Sequence, residues 1–194
     1  MKKTICWDVD DVLNNFTYRW FKHYVQEQTS KFKQIDIKYF DLIENPPHKV
    51  LQMSKEDYLD SIDHFAESHY DLLVPDFEII DWFKLFGNKF NHVVLTACPL
   101  YRAHISFQWI LLWFGTWIKS CNVVPSPRPL EIIQNKTSKA EFIERNFKQI
   151  HYFIDDNEKN CKDVELLGIK TYSINRPWNN SLMSFEDITY ELVV

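Results

Sequence analysis

The run Thr4-Ile5-Cys6-Trp7-Asp8-Val9-Asp10-Asp11-Val12-Leu13 begins as a short apolar strand and ends in a burst of acid. The pattern recurs further along the chain. His92-Val93-Val94-Leu95-Thr96 is a compact strand pattern ending in a hydroxyl, and Ile150 to Ile154 is another, ending in Asp155-Asp156. Asn122-Val123-Val124 and Ile169 to Ser173 supply two further short strands.

Helical patterns separate these strands. Phe16, Trp20 and Tyr24 recur every four residues, which predicts an amphipathic helix over about 15–28. Ser54, followed three positions on by Asp57, reads as an N-cap opening a helix to about Glu67. Pro75-Asp76 opens another helix that ends at Gly87. A long helix over about 101–114 stops near Gly115, Thr137-Ser138 introduces one over 139–146, and two more lie near 158–167 and after Ser184. Strands alternating with helices predict an α/β fold, a parallel sheet flanked by helices on both faces. The sheet signal lies in 1–14 and 88–194, so these form the core, and the mainly helical stretch 15–87 reads as an insertion after the first strand.

The composition removes several function classes. A chain of 194 residues, 45% apolar and 25% charged, is that of a globular domain that buries a core. Its 22 basic and 27 acidic side chains leave a net charge of −5, which argues against a broad nucleic-acid surface. The strongly apolar run from Phe107 to Ile118 is too short to span a bilayer as a helix, so no membrane is expected. Three scattered glycines exclude a Walker loop and a dinucleotide fingerprint, both of which need clustered glycines. Cys6, Cys98, Cys121 and Cys161 form no CxxC pair, and a reducing cytoplasm with free thiols is expected.

The strand ends carry the chemistry. Ligands of open α/β sheets gather at the carboxyl ends of strands, and here those ends present Asp8 and Asp10, then Thr96, then Asp155 and Asp156. Carboxylates held together repel one another, so ionising all of them calls for a cation. All-oxygen ligation favours magnesium. Thr96 and a lysine from the segment holding Lys136 and Lys139 add the donors a phosphoryl group needs.

These residues resemble the haloacid dehalogenase superfamily of phosphohydrolases. Asp8-Val9-Asp10-Asp11-Val12-Leu13 matches its first motif, Thr96 its second, Lys136 or Lys139 its third and Ile154-Asp155-Asp156 its fourth, in the right order. Asp11 departs from the pattern, which most often has glycine there. The resemblance implies a Rossmann-like core with a small helical C1-type cap at the insertion. It implies Asp8 as nucleophile, Asp10 as acid and base, Thr96 as a phosphoryl hydrogen-bond donor and magnesium held by Asp8, the Asp10 carbonyl and Asp155, with Asp156 as an alternate or outer ligand. Lys136 is the preferred motif lysine, because Asn135-Lys136-Thr137 resembles the Lys-Thr pair of the nucleotidase branch. Lys139 is assigned to the substrate side.

Thr96-Ala97-Cys98-Pro99 and Ile174-Asn175-Arg176-Pro177-Trp178-Asn179 resemble the 5'-nucleotidase and deoxyribonucleotidase branch. That implies a nucleotide substrate, with Phe16 and Trp20 as the cap residues facing the pocket. Two alternatives stand beside it: a phosphatase of a sugar phosphate or other small metabolite, and a non-catalytic scaffold with the same fold. The stripe from Phe107 to Phe114 is expected to be core, with any exposed part a candidate homodimer face.

Overall fold

The computed structural model describes residues 1–27, 37–126, 128 and 137–194. Its strands are β1 (Thr4–Trp7), β2 (Asn91–Cys98), β3 (Ile118–Pro125), β4 (Tyr152–Asp155) and β5 (Lys170–Ser173). They form one parallel sheet of order β3-β2-β1-β4-β5. Central β1 is covered on both faces, with Ile5, Cys6 and Trp7 all inaccessible to solvent, which is why it reads as an unbroken apolar run. β3 starts at Ile118, earlier than the Asn122 expected. Its first half, Ile118-Lys119-Ser120-Cys121, carries little strand signal of its own and is held by pairing with β2 from His92 onward.

Helices α1 (Phe16–Glu27), α2 (Lys55–His69) and α3 (Phe77–Phe86) lie between β1 and β2. α4 (Ala103–Phe114), α5 (Lys139–Asn146) and α6 (Glu158–Glu165) cross between later strands, and α7 (Phe185–Val193) follows β5. Serines start three of them. Ser54, Ser138 and Ser184 each accept a hydrogen bond from the backbone N–H three residues on, and the last two form full capping boxes with Glu141 and Asp187.

The aromatic content is largely core. Trp7 packs against Trp82 at 5.7 Å between ring centroids, Phe83 at 5.5 Å and Phe185 at 6.2 Å. These contacts, and the packing of α3 on α7, put α3 on the sheet layer. α3 lies within the stretch 15–87 expected as an insertion, and its aromatic contacts tie it to β1 and α7. Trp20 differs from its expected role. It is fully buried between α1 and α2, edge-on to Tyr58 at 5.2 Å, and its indole N–H donates to Ser61 Oγ at 3.2 Å. On α4, Trp109, Ile110 and Phe114 face inward while Leu111 and Leu112 are exposed. Among the described residues no helix is long and apolar enough to cross a membrane.

His92 sits inside this aromatic layer. Trp7 Nε1 donates to His92 Nδ1 at 3.0 Å, so His92 Nε2 carries the proton and donates to the Gly87 carbonyl at 2.8 Å. Burial lowers its pKa from 6.5 to about 4. The unfolded chain therefore binds more protons between these values. The stability contributed by neutral His92 is full above pH 6.5 and is lost as pH falls towards 4. At about 1.4 kcal/mol per pKa unit, the loss reaches about 3 kcal/mol. Urea unfolding of wild type and His92→Gln between pH 7 and 4.5 checks this: the stability advantage of wild type is expected to shrink across that window. A constant gap would show that His92 does not titrate with unfolding.

Candidate active site

A cleft of about 320 Å³ opens at the carboxyl ends of β1, β2 and β4, lined by Asp8, Asp10, Thr96, Lys139, Asp155 and Asp156 among others. Parallel strand order brings these together, since β1 lies between β2 and β4. Thr96, near the end of β2, is buried with 1% exposure.

Lys139 forms the electrostatic centre. Its ammonium is 2.8 Å from Asp8 Oδ1 and 2.7 Å from Asp155 Oδ2, and only 2% of the side chain is exposed. The Ser138 cap starts α5 so that its first residue points into the strand ends. Burial alone would lower the Lys139 pKa, but Asp155 and Asp8 outweigh it and hold the ammonium well above the ordinary lysine range. The lysine between the carboxylates is thus the one assigned by sequence to the substrate side. Lys136 lies outside the described residues.

The carboxylates remain under strain. Burial pushes Asp8 up to about 7 against the pull of Lys139, with Asp155 adding to the rise. Burial, then repulsion from Asp155, Asp11 and Asp8, drives Asp156 well above the usual carboxylate range. Oxygens of Asp8, Asp155 and Asp156 lie within 4.8 Å of one another. Three buried carboxylates, two of them sharing one ammonium, fit a divalent cation, and an all-oxygen donor set of this kind suits magnesium. The Asp10 side chain, by contrast, turns away from that cluster. Its Oδ1 accepts from Tyr70 Oη at 2.6 Å and Asn14 Nδ2 at 3.2 Å.

Several residues outside the motifs shape this loop. Asn14 Oδ1 accepts from the Asp11 and Phe16 amides at 3.2 and 3.0 Å, tying the acidic turn to the start of α1. Asp11 adopts φ 63°, the left-handed region that glycine favours and aspartate tolerates, so the backbone accepts aspartate where the motif most often has glycine. Its carboxylate accepts from the Thr17 amide and hydroxyl at 2.9 and 2.5 Å, capping α1. Asp155 is steadied by the Asn157 amide at 2.8 Å and by Asn160 Nδ2 at 3.1 Å. Asp156 Oδ2 accepts from Trp178 Nε1 at 2.7 Å, and Asn179 Nδ2 donates to the Asp156 carbonyl at 2.7 Å. The Pro177-Trp178-Asn179 run therefore holds an acidic strand end in place. The pairing of Trp178 with Asp156 joins parts of the chain 22 residues apart, and no local pattern reports it.

Phe16 lines the cleft, yet only 3% of it is exposed, because Phe65 and Tyr70 pack against its ring at 5.4 and 5.6 Å. Trp20 is absent from the cleft wall.

No protein-family model matches this sequence, and no curated protein matches it. Solved structures share its fold. A HAD-superfamily hydrolase of subfamily IA from Geobacter sulfurreducens matches with a TM-score of 0.61 at 11% identity, over 100% of this chain and 97% of its own. The magnesium-bound YfnB protein of Bacillus subtilis matches with a TM-score of 0.60 at 13% identity, over 100% and 99%. Protein tyrosine kinase A of Mycobacterium tuberculosis matches with a TM-score of 0.67 at 9% identity, over 100% and 99%. The fold is thus the Rossmann-like one of haloacid dehalogenase-type structures. Identities this low establish the fold alone, and the chemistry rests on the residues in the cleft.

Replacing Lys139 with Met leaves Asp8 and Asp155 buried and facing each other without a counter-charge. Removing one partner of a buried ionic cluster typically costs about 3–5 kcal/mol. Urea unfolding at pH 7 without divalent metal is expected to show a loss of that size, partly recovered on adding magnesium. Wild-type stability in the variant would mean that the ammonium does not hold the site together.

Proposed function

We propose that this chain is a magnesium-dependent phosphomonoester hydrolase that works through an aspartyl-phosphate on Asp8. The observation that carries the reading is the Lys139 ammonium seated between Asp8 and Asp155 in a cleft whose lining also includes Asp10, held by a separate set of hydrogen bonds. The reading assigns the two first-motif acids to different tasks, and their surroundings support that division.

Asp8, Asp155 and Asp156 would hold magnesium, which when bound supplies an electrophilic anchor for phosphoryl oxygens and offsets the carboxylate charge. An Asp8 carboxylate oxygen attacks phosphorus while the ester oxygen departs on the opposite side, giving an acyl phosphate. Asp10 Oδ1 is taken up by Tyr70 and Asn14, so Oδ2 is the oxygen left to pass a proton to the departing alkoxide. In the second half Asp10 Oδ2 takes a proton from water, the water oxygen attacks phosphorus, and the P–O bond to Asp8 breaks. Inorganic phosphate and the free Asp8 carboxylate result. Thr96 donates its hydroxyl proton to a phosphoryl oxygen, and Lys139 offsets charge that builds on the transferred group.

For the substrate, the surroundings of Thr96 and the Ile174–Asn179 segment point by resemblance to a 5'-nucleotide or deoxynucleotide. A sugar phosphate or other small phosphorylated metabolite is the second reading. The burial of Trp20 and the near-complete covering of Phe16 favour it, since neither ring is open for a base to stack on. The cleft volume, near the lower end of the roughly 300–1,000 Å³ typical of ligand sites, suits a compact ester.

Phosphate release from p-nitrophenyl phosphate with magnesium tests the reaction. Asp8→Asn is expected to abolish turnover, and Asp10→Asn to lower kcat by about 10²–10⁴-fold, the range for loss of a general acid. Circular dichroism establishes that both variants are folded. Turnover by folded Asp8→Asn would overturn the mechanism, and wild type inactive with magnesium and with manganese would point to a scaffold. A panel of nucleoside monophosphates against sugar phosphates separates the two substrate readings.

A further inference from the structure

The cleft is bipolar. Its acidic part, on the β1 and β4 side, holds Asp8, Asp10, Asp11, Asp155 and Asp156 around Lys139. The opposite side carries positive charge: Arg102 just before α4 and Arg128 after β3, with Lys55 from the start of α2, line it. Asp63 on α2 is the acidic group that faces the two arginines among the described residues.

Asp63 is itself fully engaged. Arg128 grips it in a fork, Nε to Oδ2 at 2.5 Å and Nη2 to Oδ1 at 2.6 Å, and Tyr101 Oη donates to Oδ2 at 2.9 Å. Arg102 Nη1 reaches the same carboxylate at 3.1 Å and the Ile62 carbonyl at only 3.4 Å. Arg102 is 4% exposed, and its Nε is buried with no hydrogen-bond partner. Its guanidinium carbon lies 5.7 Å from the Phe16 ring centre, over a face that offers it no acceptor oxygen. A buried guanidinium left with part of its hydrogen-bonding capacity unused carries a desolvation penalty that an anion would relieve.

We propose that the substrate carries a second anionic group, a phosphate or a carboxylate, which Arg102 and Arg128 bind while the scissile phosphate lies at Asp8. This deepens the phosphomonoesterase reading and rests on it. β3 stands two strand spacings from β1, roughly 10 Å, so the two anionic groups are separated by several bonds. The arrangement selects against simple alkyl phosphates, which leave the arginine end unfilled.

Matched pairs test this on the wild-type protein: glucose 6-phosphate against glucose 1,6-bisphosphate, adenosine 5'-monophosphate against adenosine 3',5'-bisphosphate, and glucitol 6-phosphate against 6-phosphogluconate. In at least one pair the doubly anionic member is expected to have a kcat/KM higher by about tenfold or more, mainly through KM, the order of one charge-assisted contact. The bisphosphate and carboxylate arms tell the two anion types apart. In Arg102→Gln the ratio within the preferred pair is expected to fall towards one. Arg102→Lys, which keeps the charge at Asp63 but loses the planar fork, gives the same reading if the glutamine variant does not fold.

Calorimetric binding of the same pairs to Asp8→Asn with magnesium reads the arginine end without turnover. Equal affinity and equal kcat/KM within all three pairs would overturn the second-anion site. Loss of p-nitrophenyl phosphate hydrolysis in wild type, with unequal binding retained, would overturn the phosphatase reading and leave the anion site standing.

Discussion

One buried ammonium organises the functional end of this protein. Lys139 lies between Asp8 on the loop leaving β1 and Asp155 at the end of β4, and adjacent parallel strands bring those two acids together. Without a cation the two carboxylates would repel at close range in a poorly hydrated place. The first turn of α5 therefore serves the sheet as well as the cleft, closing a charge gap that the parallel arrangement creates. The ammonium leaves the carboxylate of Asp156 poorly compensated, which is the physical ground for a divalent cation beside it.

Around that centre, neighbouring carboxylates are given different environments. Asp8 accepts from the Val9 amide and pairs with Lys139, whereas Asp10 is turned to Tyr70 and Asn14. Tyr70 lies just beyond α2, so the segment between β1 and β2 contributes a hydrogen bond to Asp10 in the loop after β1, as well as lining the cleft. The same helix supplies Asp63, which gathers Arg102 and Arg128 from the loops after β2 and β3. The insertion thus touches both the acidic and the basic ends of the cleft.

Much of this was legible residue by residue. The acidic turn after β1 and the Asp155-Asp156 pair stand at strand ends, as the change from apolar run to polar cluster indicated. The serine caps of α2, α5 and α7 are local signals and appear where their spacing placed them. The less legible features involve partners far apart in sequence. α3 has the pattern of any amphipathic helix, and only Trp82 meeting Trp7 and Phe185 assigns it to the sheet. Trp20 and Phe16 share a helix face, but that spacing says nothing of whether the face meets ligand or protein. In the structure that face meets protein: Tyr58 packs against Trp20, and Phe65 and Tyr70 against Phe16.

By itself the sequence determined the alternation of strands and helices, the chemistry at the strand ends and the need for a cation among clustered acids. Each follows from local periodicity or from the charges of neighbouring side chains. Only the tertiary structure decided that Lys139 sits between Asp8 and Asp155, that Asp10 turns towards Tyr70, and that two arginines converge on Asp63 at the cleft's other wall. Those outcomes depend on which strands lie side by side and which buried charges find partners. Both are set by packing between segments whose separation along the chain carries no periodic signal.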